Sequence, residues 1–584
     1  GFGEGSLTIE ELLEARRSGQ RYVGVAGGWV DLRSEKLAAL DAFLERLPEG
    51  CRAVGRRGLR LSRLDLLRLR STVAGRPRIG GEPAQSSVVE AFLDLKAGRP
   101  LPALTGMRCE LRPYQGEGLR WLWFLVENGL GGLLCDEMGL GKTHQIMALI
   151  EALAETDRLP SPCLVVAPTT VLSHWEAKLR RFAPGLATAV YHGGDRRLDD
   201  AAAGPQVVLT SYGILRQDAE QLKAVSFSLA VFDEIQYLKN PETQVYQAAR
   251  DVRAPVRIGL TGTPIENRLS DLKALMDLTV PGYLAGDRFF ERHYARPIMQ
   301  DASEQARQEL VQVLRPFVLR RRKSAVLQDL PPKIEDFRSC VLSADQVRLY
   351  REVIASRSPE IRLALADAGR PVPYLHIFAL LDLLKRICDH PALVAKEPLP
   401  YTRYESGKWE AFKELLAEGI DSGQKIVVYS QYLGMIDIMS EFLRSEGIGH
   451  VTLTGATRQR GKVIERFNEN PDCRVYVGSL RAGGTGIDLI AASMVIHYDR
   501  WWNAAREDQA TDRVHRIGQK RGVQVFKLIT EGTLEEKIAA VIANKKSLME
   551  EVVPETDPGV LRQFSREELL EFMDIPFLNF GGGT

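Results

Sequence analysis

The chain has 584 residues, and its 77 lysines and arginines nearly balance its 76 aspartates and glutamates, giving a formal net charge of +1 at pH 7. This length is too great for one hydrophobic core, so several domains are expected. A hydrophobic content of 45% is ordinary for globular protein and excludes a disordered chain. Because the total charge is nearly neutral, a polyanionic partner would have to bind a local basic face.

Two further features restrict where the protein works. No apolar run reaches the roughly 18 residues needed to span a bilayer, so no membrane partner is expected. The seven cysteines form no C-x-x-C pair, which predicts neither a zinc ribbon nor a disulfide framework and fits a cytoplasmic protein. The sequence begins with Gly1 rather than Met, so we expect it to be part of a longer protein.

The first part of the chain, residues 1–103, is predicted to be a small α+β accessory region without catalytic residues. Apolar alternation over residues 21–32 predicts a hairpin, and residues 37–47 have the spacing of a helix. Arginines cluster between residues 56 and 70. A solvated helix face explains this cluster better than a DNA contact, and both interpretations stay open.

From Leu111 onward, short apolar strands alternate with amphipathic helices, which is typical of a parallel α/β domain. One apolar run ends at Cys135 and is followed by Gly139, Gly141 and a helical pattern. Such a strand, loop and helix can bind phosphate through backbone N–H groups and the helix N-terminus. A glycine-rich turn with a surface lysine is the alternative.

Lys142 and Thr143 follow this loop in the order of a Walker motif, although Asp136 stands where a glycine is usual. Lys142 would reach the β- and γ-phosphates of ATP, and Thr143 would hold Mg²⁺. A second pair, Asp233 and Glu234, ends an apolar strand. Asp233 can bind Mg²⁺ there, and Glu234 can activate the attacking water.

Two later stretches carry polar groups that suit phosphate. Thr261 and Thr263 come at the end of a predicted strand, residues 257–261, from where they could sense the γ-phosphate and relay its loss. Arg513 and Arg516 are three residues apart and share one face of a helix. They could act as arginine fingers on the γ-phosphate, but spacing alone favours a salt-bridged surface helix.

Taken in order, these segments resemble the motifs of the Swi/Snf-type ATPases, the double-stranded-DNA translocating branch of the superfamily 2 helicase-like proteins. The resemblance extends from about residue 108 to 550, and so many motifs in one order are very specific. The matching segments are 111–115, 136–143, 166–169 with Trp175, 210–212, 233–234, 260–267, 429–431, 479–488, 499–503 and 508–519.

The resemblance implies a role for each matching residue. It assigns catalysis to Lys142, Glu234, Arg513 and Arg516. It assigns nucleotide binding to Arg112, Gln115 at the adenine, Gly139, Gly141, Lys142, Thr143 and Asp233, with Thr143 and Asp233 on Mg²⁺. It assigns DNA contacts to Thr169, Thr210, Ser430, Gln431, Ser479, Arg481 and Trp502. It assigns the coupling of hydrolysis to movement to Gln236, Thr261, Thr263 and Asp488.

The chain departs from the usual family residues at four positions. These are Gln236 in place of histidine, Arg481 in place of lysine, Asp488 in place of asparagine and Ala504 in place of proline. None of the four removes a phosphate or metal ligand. We therefore expect hydrolysis to be retained, while its coupling to DNA movement could differ.

The predicted fold class is α/β, with two RecA-like parallel-sheet lobes, helical protrusions and a C-terminal brace after the small α+β lead-in. The predicted divisions are 1–103 for the lead-in, 104–275 for the ATP-binding lobe, 276–400 for the helical protrusions and linker, 401–545 for the second lobe and 546–584 for a C-terminal helical tail.

The expected function is an ATP- and Mg²⁺-dependent double-stranded-DNA translocase that remodels protein–DNA complexes without separating strands. Two alternatives stay open. One is an ATP-gated DNA clamp or scaffold that does not travel, and the other is a motor that recycles RNA polymerase or another DNA-bound protein. If the source is bacterial, the protein would be associated with the nucleoid.

Overall fold

The computed structural model describes most of the chain. The described residues are 11, 15, 18–25, 28–33, 62–72, 89–96, 98–194, 196, 206–262, 269–301, 303–327, 331–366, 372–395, 400–480, 487–500 and 504–539. Within this part of the chain, no helix is long and apolar enough to cross a membrane.

The strands and helices alternate through most of the described chain. The strands are β1 (Tyr22–Val25), β2 (Gly28–Asp31), β3 (Gly132–Leu134), β4 (Cys163–Ala167), β5 (Thr188–Val190), β6 (Val207–Ser211), β7 (Leu229–Asp233), β8 (Arg257–Leu260), β9 (Val318–Leu319), β10 (Lys333–Cys340), β11 (Ile426–Ser430), β12 (His450–Leu453), β13 (Val475–Ser479), β14 (Met494–His497) and β15 (Val523–Thr530). The α-helices are α1 (Arg63–Thr72), α2 (Pro113–Glu127), α3 (Lys142–Glu155), α4 (Thr169–Phe182), α5 (Tyr212–Gln217), α6 (Ala219–Ala224), α7 (Gln244–Asp251), α8 (Leu269–Thr279), α9 (Asp287–Phe290), α10 (Arg296–Met299), α11 (Glu304–Leu314), α12 (Lys323–Val326), α13 (Ala344–Ala366), α14 (Tyr374–Asp389), α15 (Gly407–Asp421), α16 (Leu433–Ser445), α17 (Arg460–Glu469) and α18 (Ala504–Thr511). A π-helical turn spans Glu291–Ala295, and short 3-10 turns span Ile235–Leu238, Pro391–Leu393 and Tyr401–Arg403.

Two parallel sheets organise the chain into two lobes. The first sheet has seven strands in the order β5-β6-β4-β7-β8-β3-β9, and the second has six in the order β10-β15-β14-β11-β13-β12. The strand pairs within both sheets are parallel. β1 and β2 form a separate antiparallel pair, as the alternation over residues 21–32 predicts. The predicted α/β class with two parallel-sheet lobes and a small N-terminal element is confirmed.

The central strands are apolar along their whole length because both faces of each sheet are covered. In β11, Ile426 and Val428 pack in one core, while Val427 and Tyr429 pack in another. Since the strands of a parallel sheet run in the same direction, their carboxyl ends share one edge. Polar residues that follow different strands are thereby gathered at that edge of each lobe.

Residues 276–400 differ from the predicted helical stretch at two places. β9 pairs with β3 and completes the first sheet, and β10 pairs with β15 at an edge of the second. The sequence does not predict β10, because this edge strand exposes most of its side chains and carries no apolar run. Helices α13 and α14 pack against each other, and Leu534 and Ile538 pack in their shared core. The predicted tail, residues 546–584, lies outside the described residues.

One arginine of the lead-in cluster departs from the predicted solvated face, whereas Arg63 is exposed as predicted. Arg68 on α1 is buried, and its Nε donates to the carbonyl of Tyr283 at 2.8 Å. The same guanidinium donates to Asp65 at 2.6 Å. Helix α1 is therefore docked on the first lobe through the hydrogen bond from Arg68 to Tyr283, while the buried ion pair with Asp65 lies within the helix. The predicted helix at residues 37–47 lies outside the described residues.

Lys408 on α15 forms a buried ion cluster in the second lobe. Its ammonium donates to Asp389 Oδ1 at 2.8 Å and to Glu535 Oε1 at 2.6 Å, and all three side chains are 0% exposed. The cluster joins α15 to the end of α14 and to the chain that follows β15. Breaking such a cluster leaves opposite charges buried without compensation, which is strongly destabilising.

We expect Lys408→Met to lower the free energy of unfolding of the second lobe by about 3–5 kcal/mol, because two buried carboxylates would lose their cation. The matched control is Lys413→Met on the same helix, whose partner Glu410 is 60% exposed. An exposed pair of that kind contributes about 0–1 kcal/mol. Urea unfolding followed by tryptophan fluorescence measures both losses, and equal losses would contradict the role assigned to the cluster.

Candidate active site

The nucleotide loop, residues 135–141 between β3 and α3, has the backbone shape that phosphate binding needs. Gly139 and Gly141 have φ angles of 85° and 80°, in the left-handed region that favours glycine. Gly141 is the N-cap of α3, so Lys142 and Thr143 open the helix. The loop thus presents backbone N–H groups and a helix N-terminus at the edge of the first sheet. The Lys142 ammonium donates to the carbonyl of Asp136 at 2.6 Å.

Asp136, the departure from the Walker pattern, is a buried anchor for this loop. Its carboxylate accepts from Arg321 Nε at 2.8 Å and from Gln145 Nε2 at 3.0 Å, and its side chain is 0% exposed. Arg321 lies just after β9, so the ion pair ties the end of the first sheet to the nucleotide loop. No sequence pattern indicates this role of Arg321, because 185 residues separate it from its partner.

Gln115, which is predicted to recognise adenine, lies beside the loop. Its Nε2 donates to the carbonyl of Leu140 at 3.0 Å, and its Oε1 accepts from the N–H of Arg112 at 3.0 Å. The Tyr114 hydroxyl donates to the same Leu140 carbonyl at 2.9 Å. These two side chains hold the last part of the loop in place. The contact of Gln115 and Arg112 with the nucleotide stays a prediction.

Asp233 lies at the end of β7, where the sequence places it. Trp175 Nε1 donates to its Oδ2 at 2.8 Å, and the N–H of Glu234 donates to its Oδ1 at 3.0 Å. The Tyr212 hydroxyl donates to the Asp233 carbonyl at 2.8 Å. Burial raises the pKa of Asp233 to about 6, and the charge of Glu234 adds to this shift. The sequence identifies Trp175 only as part of a motif, whereas the structure shows that its indole N–H orients the Asp233 carboxylate.

Glu234 and Lys142 are electrostatic neighbours at this strand end. Burial lowers the pKa of Lys142, although the charges of Glu234 and Asp136 act in the opposite direction. Glu234 has a φ of 51°, which is uncommon for a residue with a side chain. Its carboxylate accepts from Gln236 Nε2 at 2.8 Å. Gln236 therefore orients the group that is predicted to activate water.

The second lobe reaches the nucleotide loop through the two predicted arginine fingers. A Cβ placed on Gly139 would lie 3.0 Å from the Cβ of Arg516. The Arg513 guanidinium lies 3.9 Å from the Sδ of Met138, and Arg516 forms an ion pair with Asp488. The prediction that both arginines share a helix face is wrong, because α18 ends at Thr511 and they lie in the turns that follow. Both are brought to the first lobe, and their contact with the γ-phosphate stays a prediction.

Asp488 belongs to a charged cluster that spans both lobes and that the sequence did not predict. Burial would raise the pKa of Asp488, but the charges of Arg516 and Lys178 help to hold it below its ordinary value. Burial lowers the pKa of Lys178 to about 8, and the charge of Arg516 acts in the same direction. Lys178 lies on α4 of the first lobe, three residues beyond the motif residue Trp175. The carboxylate therefore sits between cations of both lobes.

The predicted DNA contacts divide into buried and exposed groups. The Ser430 hydroxyl is buried and donates to Asp499. The Thr210 hydroxyl is also buried and donates to the carbonyl of Tyr191 at 2.9 Å. Thr169 is exposed at the start of α4. The predicted residues Arg481, Trp502 and Thr263 lie outside the described residues.

Three more of the predicted residues lie at strand ends. Gln431 follows β11, and its N–H donates to Asp499 at 3.0 Å. Ser479 ends β13 and is buried. Thr261 follows β8, and its N–H donates to the carbonyl of Leu134 at 3.2 Å. The strand ends are thus placed as expected, while the roles in DNA contact and coupling stay predictions.

Two family profiles match the chain. The SNF2-related domain matches residues 114–393, and the helicase conserved C-terminal domain matches residues 407–518. The "Putative ATP-dependent helicase/translocase YwqA" of Bacillus subtilis (strain 168) is 34% identical over 97% of this chain and 63% of its own length. The "TATA-binding protein-associated factor 172" of Homo sapiens is 32% identical over 83% of this chain and 30% of its own length. The chain therefore spans less than two thirds of the length of these curated relatives.

A solved structure is also similar in sequence. "Sulfolobus solfataricus SWI2/SNF2 ATPase core in complex with dsDNA" is 37% identical, covers 82% of this chain and 100% of that chain, and has a TM-score of 0.41. The first profile spans the first sheet and the helical pair, and the second profile spans β11 to β14 of the second sheet. By these two matched profiles and the identities to its relatives, the chain belongs to the SNF2-related family of helicase-like ATPases.

Proposed function

We propose that this protein is an ATP-dependent motor that moves along double-stranded DNA and remodels the protein–DNA complexes that it meets. The observation that carries this proposal is the composite site, in which Arg516 of the second lobe packs against Gly139 of the first. A site that is complete only when two lobes meet can couple the nucleotide state to the position of the lobes. Repeated opening and closing of the lobes would then drive movement.

The residues of the loop fit ATP and Mg²⁺. The left-handed glycines let backbone N–H groups face the phosphates. Each carboxylate oxygen of Asp233 accepts one N–H, so a lone pair on each oxygen is left for a metal or its water. Thr143 and Asp233 would hold the Mg²⁺, which neutralises charge on the β- and γ-phosphates.

Hydrolysis itself would depend on groups from both lobes. Glu234 would accept the proton of the attacking water, while Gln236 holds one of its carboxylate oxygens in place. Lys142 would stabilise charge on the phosphates from the first lobe, and Arg513 and Arg516 would do so from the second. Loss of the γ-phosphate removes the anion that these cations share, which favours separation of the lobes.

Duplex DNA as the track is supported by the motif order and by the names of relatives. The order of motifs resembles the double-stranded-DNA translocating branch of the superfamily. The Bacillus relative is named a helicase/translocase, and the human relative a TATA-binding protein-associated factor. A motor that travels on duplex DNA and acts on proteins bound to it accounts for both names.

Steady-state ATP hydrolysis should be stimulated most by duplex DNA, compared with single-stranded DNA, RNA or no nucleic acid. The physical reason is that a site completed by lobe closure turns over faster when the track stabilises the closed arrangement. Lys142→Ala is the control and should show no stimulation. Equal turnover under all four conditions would contradict duplex DNA as the track.

A triplex displacement assay then separates a motor from an ATP-gated clamp. A motor displaces the third strand only while ATP is hydrolysed, whereas a clamp leaves it in place even though its DNA affinity changes with nucleotide. Stimulated hydrolysis without displacement would therefore favour the clamp.

Glu234→Gln should lower kcat by about 10²–10⁴-fold, because the amide cannot accept a proton from water. ATP affinity should be nearly unchanged, since the loop and Lys142 are intact. Glu242→Gln, an exposed carboxylate on the same lobe, is the matched control and should turn over normally. Phosphate release gives kcat, and a fluorescent ATP analogue gives the affinity. Normal turnover in Glu234→Gln would remove this residue from the mechanism.

Gly139→Ala should lower kcat by about 10- to 100-fold, because the added methyl group pushes Arg516 away from its position on the loop. Gly423→Ala is the matched control. Gly423 has a similar φ of 71° and nothing within 4 Å of an added Cβ, so it shares the backbone strain but not the contact. If both variants lose the same activity, strain rather than lobe contact explains the loss.

A further inference from the structure

The basic segment, residues 320–323, follows the last strand of the first sheet and runs along the nucleotide loop. The carbonyl of Arg321 accepts from the N–H of Glu137 at 3.0 Å. The N–H of Lys323 donates to the Glu137 carboxylate at 2.7 Å. The backbone of Lys323 is therefore fixed to the loop independently of its own side chain.

The side chain of Lys323 extends to the second lobe. Its ammonium donates to Asp512 Oδ1 at 2.5 Å and to the carbonyl of His515 at 2.8 Å. The side chain of Lys323 is 5% exposed and that of Asp512 is 12% exposed, so little water competes for the contact. Asp512 and His515 immediately precede Arg513 and Arg516 in the sequence.

We propose that Lys323 is a positioning residue that fixes the two arginines over the nucleotide loop, an inference that rests on their proposed role in hydrolysis. Its backbone is bound to the loop and its ammonium is bound to the segment that carries the arginines, so one residue sets the distance between them. Its Cε would lie 3.4 Å from a Cβ on Gly139, the same point against which Arg516 packs.

Apolar contacts at the same place hold the lobes together without fixing their relative orientation. Leu327 packs with Tyr114 and Leu140 of the first lobe and with Ile517 of the second. Such contacts are not directional, whereas hydrogen bonds from an ammonium to a carboxylate and a carbonyl define a geometry. Loss of the Lys323 charge should therefore leave the lobes in contact with the arginines misplaced.

The test compares Lys323→Met, Asp512→Asn and the double variant in the full chain. Methionine keeps the length of the side chain and the N–H bound to Glu137, so the Kd for ATP should not change. We expect Lys323→Met to lower kcat by about 10- to 100-fold, the cost of misplacing catalytic groups. The double variant should be no slower than Lys323→Met, because both changes remove the same contact. Lys323→Arg, which keeps the charge, should restore part of the rate.

Lys273→Met is the matched control. Lys273 is 8% exposed and pairs with Asp277 and with Asp287, the latter at 2.9 Å, all within the first lobe. This variant loses a buried cation of the same kind without touching the lobe interface, so its kcat should stay within about twofold of the wild-type value. Thermal unfolding of each variant confirms that it is folded at the assay temperature. If Lys323→Met is not folded there, Asp512→Asn alone carries the comparison.

An unchanged kcat in Lys323→Met and Asp512→Asn would overturn the proposal, as would a fall in kcat matched by weaker ATP binding. Arg516→Ala in the same series separates this outcome from a failure of the proposed mechanism. If Arg516→Ala turns over normally, the role of the arginine is wrong. If it is slow while Lys323→Met is normal, only the positioning role is wrong.

Discussion

The close approach of two backbones at Gly139 is the constraint on which the rest of the structure depends. A left-handed φ and the missing Cβ allow Arg516 of one lobe to pack against the loop of the other. The contact brings the loop at the carboxyl edge of the first sheet against the segment between α18 and β15 of the second lobe. The polar residues after β7 in one lobe and those near Arg516 in the other can share a site only in this arrangement.

The interface that results is rich in cations. Burial would raise the pKa of Asp488, but the charges of Arg516, Lys178 and Arg513 act in the opposite direction. Burial lowers the pKa of both Lys178 and Arg516, which shows that the environment disfavours their charge. A phosphate anion at this place would offset that cost. A ligand that binds only when the lobes meet must also favour their meeting, which links nucleotide binding to closure by mass action.

The parts of the fold that could be predicted are those in which burial leaves a pattern in the sequence. The strand ending at Asp233 is apolar on both faces, so its end and its acidic residue could be located. β10 could not, because an edge strand has no such pattern. The resemblance assigns Ser430 to DNA, and the structure adds that its hydroxyl donates to Asp499. A sequence motif identifies the residue type at a strand end, but the atom that this residue binds depends on packing between distant segments.

The path of the chain explains why the proposed nucleotide site lies where the lobes are joined. Leu319 ends the last strand of the first sheet and Lys333 begins the first strand of the second, so the chain crosses between the sheets in this short stretch. The crossing runs beside the loop because Arg321 is bound to Asp136. In the proposed motor, a change in the phosphates bound at the loop would therefore act directly on the segment that joins the two lobes.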